Sequence, residues 1–291
     1  MNSSATVDLS LDATASVEPV LPPELERKIF EFGALEHCGS APTFALVAKR
    51  VKDWVEPILY STIVVSSVAD YLKPPLIHRE RSKYLKAPHF EKATRYAQNV
   101  LLHHYDERLL FEVIRNCHKV ENLALWGLGT RSYAHYARII TILPLKILSV
   151  DVGRLLRTED GLFRFCAASF MNLTHLDIIN LHDCRNIEDW EEISQLPRLT
   201  HLALDFPDAE FIKMVLEDCK VLHILVLFLA QDEEAYQGLD EIRSDVRVIK
   251  LSGLLSSTDI WIRGASGGED FWDKAEVIYS RRILHKGTSC F

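Results

Sequence analysis

The sequence predicts an α/β chain in which a small N-terminal helical module is followed by an irregular solenoid of strand-helix units. Helical spacing of apolar residues after a proline pair predicts the module, within residues 20–62. An L-x-x-L-x-L pattern that recurs every 23 to 28 residues predicts the solenoid. With 291 residues, 48% of them hydrophobic, the chain is large and apolar enough to bury a core, which excludes wholesale disorder.

Charge and cysteine usage narrow the class of protein. The chain has 33 basic and 41 acidic residues, a net charge of -8 that disfavours nucleic acid as a main partner. Its six cysteines form no CxxC pair, which is typical of reduced thiols in the cytoplasm or nucleus. The N-terminus lacks a secretory pattern, and the longest apolar run, 221–230, is shorter than the ~20 residues that span a bilayer. These features predict a cytoplasmic or nuclear protein with no membrane partner.

The first structured segment is predicted after a disordered tail at 1–18. A helix begins at the proline pair after Leu21, because proline pre-sets the first turn and Glu24 complements the positive end of the helix dipole. A second helical stretch is predicted to begin near Ser40 and carries apolar residues at helical spacing over 47–59. Two helices of this size bury too few apolar residues to be stable alone, so we expect them to need a partner surface.

A family resemblance rests on four stretches of residues 20–62: Leu-Pro-Pro-Glu-Leu at 21–25, Ile-Phe at 29–30, Leu-Val-Ala-Lys-Arg-Val at 46–51, and 54–60 from Trp to Tyr. Together they resemble an F-box, particularly the form found in fungal F-box proteins. The family's module docks onto the Skp adaptor of a cullin-RING ubiquitin ligase. The resemblance implies that the adaptor contacts are made by Leu21, Pro22, Leu25, Ile29, Leu46, Val47 and Val51.

Residues 63–95 are predicted to be a linker with a short strand at 63–65. The solenoid then covers 96–256, and its repeats resemble leucine-rich repeats, whose usual length is about 20 to 29 residues. The middle apolar positions of the seven repeats are Val100, Leu123, Leu148, Leu176, Leu202, Leu225 and Ile249. The Asn or Cys that most leucine-rich repeats carry after the last leucine is absent, so the repeat is degenerate. Helices are predicted between strands at 107–115, 134–142, 162–170, 209–216 and 233–242.

Alternation along the predicted strands gives a candidate binding face. The leucines point inward, so the intervening side chains are expected on a concave, solvent-facing surface. We expect this surface to bind a protein substrate through aromatic anchors and acidic or imidazole groups, at Trp126, Asp151, His175, Asp177, His201, Asp205 and Phe228. The C-terminal segment, 257–291, is predicted to be a cap with an amphipathic helix after Gly267 and Gly268, and this helix could equally cover the same face.

No motif indicates catalysis or a cofactor. A phosphate-binding glycine loop is absent from the sequence, and the Gly-Ala-Ser-Gly-Gly stretch at 264–268 has no predicted strand before it, which a nucleophile elbow requires. The His-His pair at 103–104 and the His-Asp-Cys stretch at 182–184 lack a second close pair of ligands for zinc. The sequence therefore predicts a non-catalytic, substrate-recognition subunit of a Skp-cullin-F-box ubiquitin ligase. An F-box scaffold that binds the adaptor without forming a ligase is the alternative, and an enzyme built on the repeat sheet is a third class.

Overall fold

The computed structural model describes residues 21–66, 88–103, 107–127, 140–151, 167–179, 187–205, 209–229, 242, 244–252 and 257–288. The chain divides into two compact units, Met1–Val55 and Glu56–Phe291. The predicted tail at 1–18 and most of the helices predicted at 134–142, 162–170 and 233–242 lie outside the described residues.

The first unit is helical. It contains α1 (Pro23–Glu36), a 3-10 turn (Cys38–Ser40), α2 (Ala41–Phe44) and the start of α3 (Lys49–Leu59). Helix α1 begins at the proline pair as predicted, and its first free amides bond back to the Pro22 carbonyl, with a Leu25 N to Pro22 O distance of 3.0 Å. Pro57 lies in the last turn of α3, where the missing amide shortens the helix.

The second unit contains a sheet of eight strands. These are β1 (Thr62–Ser66), β2 (Asn99–His103), β3 (Asn122–Trp126), β4 (Ile147–Asp151), β5 (His175–Ile179), β6 (His201–Asp205), β7 (Ile224–Leu229) and β8 (Val248–Ser252). Its helices are α4 (Pro88–Tyr96), α5 (Glu107–Asn116), α6 (Ala209–Asp218), α7 (Thr258–Ala265) and α8 (Phe271–Thr288), and 3-10 turns occur at Ala167–Phe170 and Ile187–Gln195. The predicted helices at 107–115 and 209–216 are confirmed as α5 and α6.

All eight strands are parallel and lie in sequence order, so the predicted α/β class is confirmed. The repeat leucines stand opposite one another, with Leu123 paired to Leu148 and Leu148 to Leu176. The chain also repeats one hydrogen-bond pattern at the strand starts: the Lys146 carbonyl accepts from Thr174 N at 2.8 Å and His175 N at 3.0 Å. This pattern holds each strand from β2 to β7 in register with its predecessor.

The main core lies on the side of the sheet that carries the connections. Leucines of β2 to β7 pack there with α5, α6 and the 3-10 segment Ile187–Gln195. Trp190 of that segment is fully buried and meets Phe211 edge-on, at 5.4 Å between ring centroids. Cys117 and Cys219 are buried free thiols in this core, and burial raises their pKa values to about 12 and about 11. These two thiols therefore pack and are poor nucleophiles at neutral pH, as the sequence indicated.

The two ends of the sheet compare differently with the sequence prediction. The strand predicted at 63–65 is confirmed as β1, whose Ile63 pairs with Val100 and is buried in the main core. At the other end the predicted leucine register of the last repeat is wrong, because Leu225 pairs with Val248 and not with Ile249. A shift by one residue moves alternate side chains to the opposite face of a sheet.

The segment between α7 and α8 turns sharply at Gly267, whose φ of 81° requires the left-handed region. Gly267 N donates to Gly264 O and Gly268 N to Arg263 O, both at 2.9 Å, which is the Schellman arrangement. Helix α8 then opens with a capping box: the Asp270 carboxylate accepts from Trp272 N at 2.7 Å. The predicted helix after Gly268 is confirmed.

Candidate functional site

Helix α1 carries a stripe of large apolar side chains on its exposed face. Leu25, Ile29 and Phe32 follow one another at spacings of four and three residues, and they are 49%, 58% and 66% exposed. Leu21 precedes them on the same face, and together with Lys28 the four line a shallow groove. We call Leu21, Leu25, Ile29 and Phe32 the α1 stripe.

The opposite side of α1 packs inside the helical unit. Phe30 meets Phe44 edge-on at 5.4 Å, and Gly33 lies so close to Phe44 that an added Cβ would be 3.0 Å from its ring. Ala34 is fully buried. Because the interior is filled by this side of the helix, the α1 stripe is not needed for the packing of the unit and remains at the surface.

The residues assigned to adaptor contact fall into two groups. Leu21, Pro22, Leu25, Ile29, Leu46 and Val47 are exposed, Leu46 most of all at 86%. Val51 is 0% exposed, so its side chain is not presented at the surface and the direct contact assigned to it does not fit the structure. Phe32 and Leu35 are also exposed on α1, but they were not among the residues assigned to adaptor contact, although their spacing continues the pattern of Leu25 and Ile29.

The strand face that was expected to be concave and exposed is covered by the C-terminal segment. Of the seven predicted substrate residues, five are buried and two, His175 and Asp205, are partly buried; the buried ones are Trp126, Asp151, Asp177, His201 and Phe228. The expectation of exposure is therefore wrong. The physical reason is that the apolar side chains on this face pack against Phe271, Trp272 and Ala275 of α8.

A hydrogen-bonded chain of three side chains crosses the covered face from β3 to β5. Trp126 Nε1 donates to Ser149 Oγ at 2.8 Å, and the Ser149 hydroxyl donates to Asp177 Oδ2 at 2.6 Å. Asp177 is only 2% exposed, and its Oδ1 accepts no hydrogen bond from a described residue. Burial raises the pKa of Asp177 to about 7, the Asp205 carboxylate adds to the rise, and the Ser149 hydrogen bond opposes it.

Two imidazoles stack on the neighbouring strands under α8. The rings of His175 and His201 lie 4.1 Å apart between centroids at 14°, and Trp272 meets both edge-on, at 5.1 and 5.7 Å. His201 Nε2 is 2.9 Å from Glu276 Oε1. Since the carboxylate can only accept, Nε2 carries the proton, and Nδ1 accepts from the Thr200 hydroxyl at 2.8 Å.

Both imidazoles are held neutral. Burial and the neighbouring His201 lower the pKa of His175 to about 3, against an opposing effect of Asp273. Burial also lowers the pKa of His201, although Glu276 favours its charged form. The sequence placed these two histidines side by side correctly, but the acidic and aromatic residues of α8 that surround them are more than 70 residues away in the chain.

The sequence was compared with known proteins. No protein-family model matches the chain, and the search of curated proteins finds no match either.

Two further features concern the whole described part of the chain. Among the described residues no group of three or more His, Cys, Asp or Glu side chains could hold a metal ion. None of the described helices is both long enough and apolar enough to cross a membrane. The pair at 182–184, considered above for zinc, lies outside the described residues.

Proposed function

We propose that the protein is the substrate-recognition subunit of a Skp-cullin-F-box ubiquitin ligase, with the F-box at 20–62. The observation that carries the proposal is the exposed α1 stripe in the segment whose sequence resembles an F-box. A small helical unit that leaves four large apolar side chains in water has a surface suited to a protein partner.

The second unit supplies the target-binding body in this proposal. Its parallel strands lie in sequence order, and the spacing of 23 to 28 residues from β2 to β8 favours a leucine-rich-repeat-like solenoid. The chain contributes no chemistry: it holds a target near the ligase, so that effective concentration replaces diffusion. The transfer of ubiquitin belongs to the partners, and the protein acts in the cytoplasm or nucleus.

Adaptor binding is tested with a triple substitution in the α1 stripe, Leu25→Ala, Ile29→Ala and Phe32→Ala. Binding of the full chain to a purified Skp-type adaptor is measured by isothermal titration calorimetry. We expect affinity to fall at least about tenfold, because buried apolar anchors each contribute on the order of 1 kcal/mol or more to an interface.

The matched control removes three equally exposed apolar side chains from α8, with Val277→Ala, Ile283→Ala and Leu284→Ala. We expect this variant to bind the adaptor as the unchanged chain does. Equal affinities of the two triple variants, or no binding by the unchanged chain, would contradict the proposal.

The scaffold alternative is distinguished by what accompanies the adaptor. If the chain recovers the adaptor from cells and no cullin, under conditions that preserve a control ligase, the chain is a scaffold. Recovery of both supports the ligase subunit.

A further inference from the structure

A small cavity lies inside the second unit, between the covered strand face and the segment that includes α7 and the start of α8. Its volume is about 30 Å³, and four aromatic side chains line it: Trp126, Trp261, Phe271 and Trp272. The indole of Trp126 is held by its hydrogen bond to the Ser149 hydroxyl, and Trp261 packs against the small apolar cluster around Trp126. The cavity is therefore walled by aromatic rings that belong to three different elements.

The same cavity is lined by acceptor groups that lack donors. Asp177 Oδ1 and Asn122 Oδ1 are buried and accept no hydrogen bond from a described residue. Asp270 also lines the cavity, and it approaches α7 so closely that a Cβ on Gly264 would lie 2.5 Å from Asp270 Oδ2. The Asp270 carboxylate already accepts from Trp272 N and Asp273 N, so the two oxygens without donors are those of Asp177 and Asn122. None of the described residues that line the cavity is cationic.

Size and access limit what can enter. A water-sized group needs about 10 to 15 Å³ of such space, so the cavity holds two or three groups of that size and excludes a ring. Asn122, Trp261 and Asp270 are only partly buried, which places the cavity close to the surface.

We propose that this cavity binds the ammonium group of a primary alkylamine. An ammonium group is about as large as water, carries three donors, which is enough for the oxygens of Asp177 and Asn122 that lack one, and is attracted by the faces of aromatic rings. Water alone would supply donors but would leave an ionised Asp177 without a compensating positive charge. The amine can be a free molecule or the side chain of a lysine on another protein, and the site does not depend on the proposed adaptor binding.

The test measures binding of butylammonium to the full chain by calorimetry, with butan-1-ol as the neutral probe of similar length. We expect saturable binding of butylammonium and none of butan-1-ol. N-acetyl-lysine methylamide tests the second source: if it also binds, a peptide lysine can reach the cavity, and if only butylammonium binds, the site takes free amines. Equal responses to butylammonium and butan-1-ol, or no response to either amine, would overturn the proposal.

Asp177→Asn tests the charge while keeping the shape of the side chain. Loss of a charge-assisted hydrogen bond to a buried carboxylate should weaken butylammonium binding about tenfold or more. Asp259→Asn, on the exposed face of α7 and outside the cavity, is the matched control and should bind as the unchanged chain does. Equal affinity of the two variants would contradict the role of Asp177.

The unchanged chain offers a second readout that needs no variant. The cation prefers the ionised carboxylate, and the pKa of Asp177 lies near 7, so butylammonium should bind more tightly at pH 8 than at pH 6. The probe stays charged throughout, because alkylamines ionise well above this range. A flat pH profile would count against Asp177 as the partner of the ammonium group.

Discussion

The carboxylate of Asp177 is buried with only part of its hydrogen-bonding capacity used. One of its oxygens accepts from the Ser149 hydroxyl, and the other has no donor among the described residues. Alternation along β5 predicted where this side chain lies on the sheet. The sequence left its burial open, with the C-terminal helix as an alternative cover, because the covering segment is about 90 residues farther along the sequence.

Asp177 should make the protein less stable as the pH rises. The folded pKa of about 7 lies above the ordinary aspartate value of 3.8, so from about pH 4 to pH 7 the folded state keeps a proton that the unfolded state loses. The contribution of the neutral acid is therefore present below pH 4 and is lost as the pH rises through 7. Asp177→Asn should raise the free energy of unfolding in urea by roughly 1 to 3 kcal/mol at pH 8, and by much less at pH 4.5.

At each pH, the free energy of unfolding of the unchanged chain is subtracted from that of the variant. This removes the opposite trend of His175 and His201, whose lowered pKa values make stability rise with pH below their usual range. Asp259→Asn serves as the exposed control and should show no pH-dependent gain. A gain from Asp177→Asn that is the same at both pH values would disprove the link to its ionisation.

At the scale of elements, the sequence predicted the positions of the strands better than the register of the last strand and the segments that pack on the sheet. The leucine pattern located β2 to β7 because each buries alternate residues against the same connections. The pattern failed at β8 because Ile249 and Leu251 are apolar for another reason: they pack against α8 on the opposite face. The 3-10 segment Ile187–Gln195 was missed, since nine residues in a tight turn give no clear helical period.

Helix α8 packs on the sheet through Phe271, Trp272 and Ala275. Ala275 is 0% exposed, while Val277 on the same helix is 49% exposed. Ala275→Glu places a carboxylate and extra volume between α8 and β7, whereas Val277→Glu adds the same charge in water. We expect Ala275→Glu to cost several kcal/mol, on the order of 3 or more, through overpacking and desolvation.

The readout for α8 is the exposure of the apolar face beneath it. Binding of the dye ANS and the free energy of unfolding in urea are measured for both variants. Val277→Glu should change stability by no more than about 0.5 kcal/mol and bind no extra dye. If both variants behave alike, α8 is not docked through Ala275.

At the scale of the whole molecule, the two compact units differ in how they treat their apolar surfaces. The first unit presents the α1 stripe to solvent, and the second covers its own strand face. Resemblance in the first unit and periodicity in the second predicted the helices and most strands. A repeat pattern specifies contacts between neighbouring repeats and not with a distant terminal helix, so it left open whether the C-terminal helix covers this face, the alternative that the structure confirms.

The division into units also predicts which part of the chain carries which property. The buried core of the sheet begins at Ile63 and contains no described residue of the first unit. Each strand is hydrogen-bonded only to the strands that precede and follow it in the sequence. A fragment that starts at Lys49, the first residue of α3, keeps this core intact.

We expect this fragment to unfold cooperatively by circular dichroism, with a Tm within about 5 °C of the full chain, and to bind butylammonium equally well. It should lose adaptor binding entirely, because the α1 stripe is gone. A fragment that fails to fold would show that the first unit is required for the stability of the sheet, and a fragment that still binds the adaptor would place that surface elsewhere.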